Sequence, residues 1–151
     1  MGTEEHKRQA PKKVTIGIIT VSTTRALVDD TSGNWIREQA TKEGHNVVYH
    51  RVIPDDEKII ASTVRNVIQN ERPQVILMSG GTGITKRDVT VEALSPMFAK
   101  VLSAFGSLFA NLSYEEIGSA AFLSRATAGV IENTVVFCIP GSIKACKLAC
   151  G

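Results

Sequence analysis

Aromatic residues are scarce in this sequence, and long hydrophobic runs are missing from it. Phe, Tyr and Trp together make up 5% of the 151 residues, which argues against a surface that binds nucleic acid by base stacking. No apolar run approaches the roughly 20 residues that a membrane-spanning helix needs. The charged N-terminus is followed by no apolar core, so we expect no secretory leader. These absences favour a protein that binds neither nucleic acid nor a membrane.

Charge of one sign is not in excess in the body of the chain either. The formal net charge is +2, and it arises within residues 1–13, where basic residues outnumber acidic ones. The remaining residues carry basic and acidic side chains in equal number. A basic face is the electrostatic footprint of a nucleic-acid-binding protein, and this body has no such excess. We therefore predict a disordered polar and basic tail over residues 1–12 and a single domain over residues 13–151.

Cysteine is sparse as well, with Cys138, Cys146 and Cys150 as the three examples. An odd number without a secretory leader favours reduced thiols in a cytoplasmic protein. No C-x-x-C or H-x-x-x-H spacing occurs, so the sequence does not indicate a zinc site. No Ser/His/Asp or Cys/His arrangement for nucleophilic catalysis is evident from the sequence.

What is present is a regular alternation of apolar strand patterns and amphipathic helix patterns. Predicted strands cover residues 14–22, 46–53, 75–78, 129–131 and 134–139. Predicted helices cover residues 32–43, a segment from Asp55 or Asp56 to about Asn70, residues 91–94, most of 98–124, and the chain after Ser142. Such alternation predicts a three-layer α/β/α sandwich around a mainly parallel sheet. Ligands of these sheets bind beyond the carboxyl ends of the strands. Four polar segments are expected there, at residues 22–25, 54–56, 79–88 and 140–142.

The loop after the third predicted strand has the composition of an anion site. Gly80, Gly81 and Gly83 allow backbone N–H groups to turn toward a phosphate, and Thr82 adds a hydroxyl donor. Basic side chains follow at residues 86 and 87. The spacing matches neither a Walker A loop nor the dinucleotide-binding fingerprint. A tight strand-to-helix turn is the alternative, which the added polar residues make less favoured.

Carboxylates at the same edge point to a divalent cation or to helix capping. Asp88 directly follows the glycine-rich loop, and Asp55 with Asp56 follows the neighbouring strand. Mg²⁺ is bound in proteins through one or two carboxylates together with phosphate oxygens, so Asp55 and Asp88 are candidates for such a site. Each could equally cap the helix that follows it.

Two serines at predicted helix starts leave the same pair of alternatives open. Gly141 and Ser142 begin the last helix, whose N-terminal N–H groups favour an anion, and Ser142 could instead cap that helix. Ser32 reads mainly as the N-cap of its own helix. With no nucleophile evident, the residues favour phosphoryl or nucleotidyl transfer by positioning and electrostatics.

At these residues the sequence resembles the MoaB/Mog family, the molybdopterin adenylyltransferases of molybdenum cofactor biosynthesis, and the later strings resemble its MoaB branch. The resemblance extends from about residue 13 to the end, in family order. The matching strings are residues 16–22, 30–33, 54–56, 79–83, 87–90, 112–118, 123–126 and 140–142.

The resemblance implies a molybdopterin-binding-like fold and a reaction in which Mg-ATP and molybdopterin give adenylylated molybdopterin and pyrophosphate. On the matching positions, Asp55 and Asp88 take the acidic roles in Mg²⁺ binding and adenylyl transfer. The nucleotide-contact positions are Gly80, Gly81, Thr82, Gly83, Gly141 and Ser142. The positions that bind molybdopterin or its phosphate in the family correspond to Ser22, Asp30 and Ser32. The family implies a cytoplasmic homotrimer or homohexamer that supplies a downstream metal-insertion protein.

The sequence departs from the family pattern at several positions. Thr23 stands where relatives often carry Asp or Asn, and Ser107 and Ala110 stand where Glu and Arg are common. Relatives also continue beyond Gly151 with a longer C-terminal helix, so the C-terminus is expected to be truncated in this sequence. The alternative function is that of a non-catalytic paralogue that binds molybdopterin or serves as a scaffold.

Overall fold

Six strands and six α-helices make up the part of the chain that the computed structural model describes, residues 2–151. The strands are β1 Thr15–Val21, β2 Asn46–Ile53, β3 Val75–Ser79, β4 Lys100–Val101, β5 Thr127–Ile131 and β6 Thr134–Ile139. The helices are α1 Thr3–Gln9, α2 Thr31–Lys42, α3 Glu57–Glu71, α4 Thr90–Leu94, α5 Ser103–Ile117 and α6 Ile143–Cys150. Short 3-10 helices cover Leu27–Asp29, Ser95–Met97 and Gly118–Leu123.

The strands form one mixed sheet in the order β2-β1-β3-β6-β5-β4. Strands β2, β1, β3 and β6 are parallel, whereas β5 is antiparallel to both of its neighbours. The β5–β6 hairpin turns at Glu132, whose φ of 52° lies in the left-handed region. The parallel strands therefore place their carboxyl ends along one edge, as the alternating pattern predicts.

Helices cover both faces of the sheet, which confirms the predicted three-layer sandwich. On one face α3 buries its apolar stripe of Ile60, Val64, Val67 and Ile68 against β1, β2 and β3. On the other face α2 and α6 pack Ile36, Ala40 and Cys146 against Ile16, Ile18 and Ile139 of the sheet. Burial of these apolar side chains is the main stabilising contribution to the fold, at about 25 cal/mol per Å² removed from water.

The structure adds local detail in three segments. Within the segment predicted as a tail, α1 has acidic residues in its first turn and basic residues in its last, as the helix dipole favours, and buries no residue. The stretch predicted as mostly helical over 98–124 also contributes the edge strand β4. Ile59 on α3 is 40% exposed, beside the buried apolar stripe of that helix.

The described helices include none that is both long and apolar enough to cross a membrane. The three cysteines are free thiols; Cys138 and Cys146 are buried and Cys150 is exposed.

Candidate functional site

Polar loops from four parts of the sequence meet at the carboxyl edge of the parallel strands. Thr23, after β1, hydrogen-bonds to Asp55, after β2. Ser32 at the start of α2 donates to the carbonyl of Gly141 over 2.8 Å, and the Gly80 N–H donates to Ile139 O over 2.9 Å. Arg25 Nη1 also donates to the carbonyl of Gly141 over 3.5 Å, and Gly141 packs against Gly80. Together these contacts connect all four segments that the sequence assigned to this edge.

The glycine-rich loop has a backbone shape that only glycine adopts at low cost. Gly80 and Gly81 have φ values of 97° and 71°, and a Cβ at either one would collide with Val21 O or with the hydroxyl of Thr90. The Thr90 hydroxyl donates to Gly80 O over 2.9 Å, and the Thr90 N–H donates to Gly81 O over 3.1 Å. The loop is therefore fixed at two of its carbonyls.

That fixed loop leaves donors for a ligand. Within residues 2–151, the N–H groups of Gly81 and Thr82 donate to no protein acceptor. Successive free N–H groups in a turn with positive φ form a concavity that binds anions. The loop thus has the geometry of a phosphate site. The carbonyls of Gly80 and Gly81 bond to Thr90 and so do not face the free N–H groups.

Asp88 closes the loop and is held in its ionised form. The N–H and the hydroxyl of Thr85 both donate to Asp88 Oδ2, over 3.0 and 2.7 Å. Partial burial alone would raise the pKa of Asp88, but the hydrogen bonds from Thr85 and Gly83 and the charge of Arg125 together lower it. The carboxylate does not cap α4, whose first turn has no side-chain cap, so the capping alternative is excluded for Asp88.

Asp55 is half-buried just after β2 and accepts two hydrogen bonds from a threonine, as Asp88 does. The N–H and the hydroxyl of Thr23 donate to Asp55 Oδ2 over 3.0 and 2.7 Å. The capping role belongs to its neighbour Asp56, which accepts a hydrogen bond from the N–H of Ile59. From the sequence, either Asp55 or Asp56 could cap α3, and in the structure Asp56 is the cap.

A metal ion at this edge would depend on substrate oxygens. No group of three or more His, Cys, Asp or Glu side chains is assembled as a cation site anywhere in the described chain. Asp55 and Asp88 carry oxygen ligands of the kind that Mg²⁺ uses one or two at a time, beside phosphate oxygens and water.

The start of α6 adds a second set of free donors beside the loop. Gly141 packs against Gly80, and the side chain of Ser142 accepts from the N–H of Ala145 over 3.1 Å, so Ser142 caps α6. No side chain or backbone of residues 2–151 accepts from the N–H groups of Ile143 and Lys144. The helix end therefore favours an anion through its dipole as well as its donors.

Ser22 is half-buried at the end of β1, and its oxygen organises the loop that follows. It accepts from the N–H groups of Thr24 and Arg25 over 3.4 and 3.2 Å. The Arg25 guanidinium in turn reaches the carbonyl of Gly141. Ser22 thus lies at the site and also shapes the turn that carries Arg25 toward it.

Asp30 and Ser32 lie behind the site, where both are buried. Asp30 accepts from the Thr20 hydroxyl over 2.7 Å and from the Gly33 N–H over 3.0 Å, and it pairs with His50 over 2.9 Å. Asp30 is therefore the N-cap of α2, a role that the sequence gave to Ser32. These donors hold the Asp30 carboxylate at the start of α2, and Ser32 holds Gly141, so both residues position the elements around the site.

Sequence reasoning missed Arg125 as a residue of the site. Its backbone N–H donates to Thr82 O and its Nε to Gly83 O, both over 2.8 Å, and its Nη2 donates to Asp88 O over 3.2 Å. Its guanidinium also pairs with Glu92 of α4. Arg125 lies 42 residues beyond the carbonyl that it holds, so no local pattern marks it. The only signal was its place in a matching string of the family.

An apolar cavity of about 240 Å³ lies elsewhere, between the sheet and helices α2, α5 and α6. Its walls include Ile16, Ile36, Phe105 and Phe137. It lacks the convergent donors of the carboxyl edge, so we assign it to imperfect packing between layers and place the functional site at the edge.

Comparison with known proteins gives consistent results over nearly the whole chain. Residues 17–150 match the family model described as "Probable molybdopterin binding domain". The chain is 45% identical over 150 residues to molybdenum cofactor biosynthesis protein B of Bacillus subtilis, covering 99% of this chain and 88% of that protein. It is 44% identical over 153 residues to the molybdopterin adenylyltransferase of Pyrococcus furiosus, covering 97% and 89% of the two chains. The crystal structure of a molybdenum cofactor biosynthesis protein B superposes with a TM-score of 0.88 at 46% identity, over 93% of this chain and 88% of that one.

Proposed function

The chain belongs to the MoaB/Mog family, whose domain model is described as a probable molybdopterin-binding domain, and we propose that it is a molybdopterin adenylyltransferase of molybdenum cofactor biosynthesis. In this reaction a terminal phosphate oxygen of molybdopterin bonds to the α-phosphorus of ATP. The bond from that phosphorus to the bridging oxygen breaks, and pyrophosphate leaves. Residues 13–151 form the domain that carries out this transfer.

One observation supports the proposal most directly: two sets of free N–H donors lie side by side at the sheet edge. The donors of Gly81 and Thr82 and those of Ile143 and Lys144 are brought together by the contact between Gly141 and Gly80. The reaction must hold two anionic substrates close together, which costs much electrostatic energy in the absence of such donors. An edge with two anion-binding elements suits that task.

We assign nucleotide binding to Gly80, Gly81, Thr82, Gly83, Gly141 and Ser142. The region of Ser22 binds the phosphate end of molybdopterin, and the buried Asp30 and Ser32 hold that region in place. Mg²⁺, when bound to the nucleotide, neutralises phosphate charge and is held by Asp55 and Asp88. The two carboxylates are pre-oriented by hydrogen bonds from their threonine partners, so they need little rearrangement on binding.

The exposed apolar side chains of α5 and the 3-10 helix after it support a homo-oligomer. Leu108, Ile117 and Phe122 are 60%, 52% and 75% exposed. A homotrimer or homohexamer of a cytoplasmic protein, which supplies a downstream metal-insertion protein, is part of the proposal. Sedimentation or light scattering tests the assembly, and a monomer at micromolar concentration would refute it.

The catalytic proposal is tested by incubating the protein with Mg-ATP and molybdopterin and identifying the product by mass spectrometry. Wild-type protein is expected to form adenylylated molybdopterin, and Asp88→Asn to form little, because the amide is uncharged. Glu38→Gln is the matched control: it removes a carboxylate that forms an exposed ion pair with Lys42 on α2. If the wild type binds molybdopterin but forms no product, the chain is a binding or scaffold paralogue instead.

A further inference from the structure

Both candidate carboxylates are held by a threonine in the same manner, although they lie on different loops. Thr23 donates to Asp55 Oδ2 through its N–H over 3.0 Å and through its hydroxyl over 2.7 Å. Thr85 donates to Asp88 Oδ2 through the same two groups over the same two distances. In each pair the threonine engages Oδ2 and not Oδ1, and Asp88 also accepts a hydrogen bond from the Gly83 N–H.

We propose that Thr23 and Thr85 are positioning residues that fix the rotamers of Asp55 and Asp88 and thereby present Oδ1 of each to a divalent cation. The inference rests on the proposed function, since it assigns the cation to the same edge. Two donors to one oxygen fix the torsion of the carboxylate. The conformational entropy of ordering each side chain is then lost on folding and not on cation binding.

The two pairs lie in unrelated local structures, so their common hydrogen-bond pattern does not result from one type of turn. Thr85 and Asp88 are three residues apart, and the Asp88 N–H also donates to Thr85 O, so this pair forms a closed turn. Thr23 and Asp55 are 32 residues apart, and their pair links the loop after β1 to the loop after β2. In that pair the Thr23 hydroxyl also accepts from the Asp55 N–H over 3.3 Å.

The location of the pairs indicates an effect on binding more than on folding. Thr23 and Thr85 are exposed, and hydrogen bonds at exposed positions compete with water and contribute little to global stability. Their consequence is then expected in the affinity of the site for a cation.

The test compares Thr23→Val and Thr85→Val with the wild type. Valine keeps the shape of threonine and the backbone N–H bond, and removes the hydroxyl that donates to the carboxylate. At residue 23 it also removes the acceptor of the weaker bond from the Asp55 N–H. Thr23→Ser and Thr85→Ser restore that donor. Thr41→Val is the matched control, because the Thr41 hydroxyl donates to the carbonyl of Arg37 on α2 and not to a carboxylate.

Binding of Mn²⁺ is read out directly by electron paramagnetic resonance, in the presence of a non-hydrolysable ATP analogue. Loss of one charge-assisted hydrogen bond at each site is expected to weaken Mn²⁺ binding roughly three- to tenfold. The serine variants are expected to bind as the wild type does, and so is Thr41→Val. Thermal unfolding of the valine variants is expected to stay close to that of the wild type.

Two results would overturn the inference: valine variants that bind Mn²⁺ with wild-type affinity, or serine variants that fail to restore it. Failure of the proposed function has a different signature. A wild type that binds Mn²⁺ and nucleotide with the expected threonine dependence, but transfers no adenylate, supports the inference and refutes the reaction. A wild type that transfers adenylate with unaffected valine variants refutes the inference alone.

Discussion

Replacing Arg125 with lysine should loosen the glycine-rich loop while leaving the local charge unchanged. The guanidinium donates to Gly83 O through Nε and to Asp88 O through Nη2, and it also pairs with Glu92. A lysine ammonium is a single point donor and cannot reach both carbonyls in the planar arrangement of arginine. At least one charge-assisted bond to the loop is lost.

The size of the effect follows from the number and exposure of those bonds. A hydrogen bond to a charged group contributes about 1.5–3 kcal/mol when it is shielded from water. The Arg125 side chain is 36% exposed, so hydrogen bonds to water replace part of this contribution. We therefore expect the substitution to destabilise the ordered conformation of the loop by about 1–2 kcal/mol. If that order is needed for nucleotide binding, the affinity for Mg-ATP falls by roughly five- to thirtyfold, since about 1.4 kcal/mol corresponds to a factor of ten.

Isothermal titration calorimetry with a non-hydrolysable ATP analogue measures this change. Arg37→Lys, at an exposed position of α2, is the matched control and should bind as the wild type does. A second variant, Glu92→Gln, keeps the bonds of Arg125 to the loop and should have a smaller effect than Arg125→Lys. Wild-type affinity for the ATP analogue in Arg125→Lys would show that the bonds of the Arg125 guanidinium to the loop are not needed for its binding conformation.

Three further predictions concern stability and ionisation. Asp30→Asn should lower the free energy of unfolding by about 3 kcal/mol in a urea titration, because it removes the charge from a buried carboxylate with three partners; an unchanged midpoint would contradict the network. The hydrogen bond from Arg125 is the main cause that lowers the pKa of Glu92 from its ordinary 4.5, with smaller contributions from a backbone hydrogen bond and from the charge of Arg125. This carboxylate therefore stabilises the fold above pH 4.5, and the contribution is lost as the pH falls through the lowered value. A carbon-13 NMR titration should show a higher pKa of Glu92 in Arg125→Gln than in the wild type. An unchanged pKa would exclude the Arg125–Glu92 pair in solution. Burial raises the pKa of Cys138 to about 12 and that of Cys146 to about 11, so native protein should take up one equivalent of iodoacetamide, at the exposed Cys150, and three after unfolding. The reaction at Cys150 should be slow, because burial also raises its pKa; three equivalents in the native state would contradict the burial.

The periodicity of the sequence predicts most of the fold because each element buries a face of its own. The apolar stripe of α3 and the unbroken apolar run of β1 specify a helix and a central strand without outside help. Strand β4 could not be predicted, since both of its residues are exposed and only pairing with β5 makes them a strand. Tertiary pairing there overrides a helical pattern.

The candidate site was predictable where its residues are adjacent in the chain and unpredictable where they are not. The spacing of Gly80, Gly81 and Asp88 signals an anion-binding loop by local chemistry alone. The contacts of Asp30 with Thr20 and His50 and the contacts of Arg125 with the loop join distant parts of the chain. Composition cannot reveal such partners, because both arginine and aspartate are equally compatible with a solvent-exposed surface.

The central claim is that this edge of the sheet transfers the adenylyl group of ATP to molybdopterin. The measurement that tests it most directly is the fate of phosphorus-32 supplied in the α or in the γ position of ATP. The account predicts label on the pterin only from α-labelled ATP, with the γ-label released in pyrophosphate. Label on the pterin from γ-labelled ATP would contradict adenylyl transfer in favour of phosphoryl transfer, and no label from either position would contradict catalysis altogether.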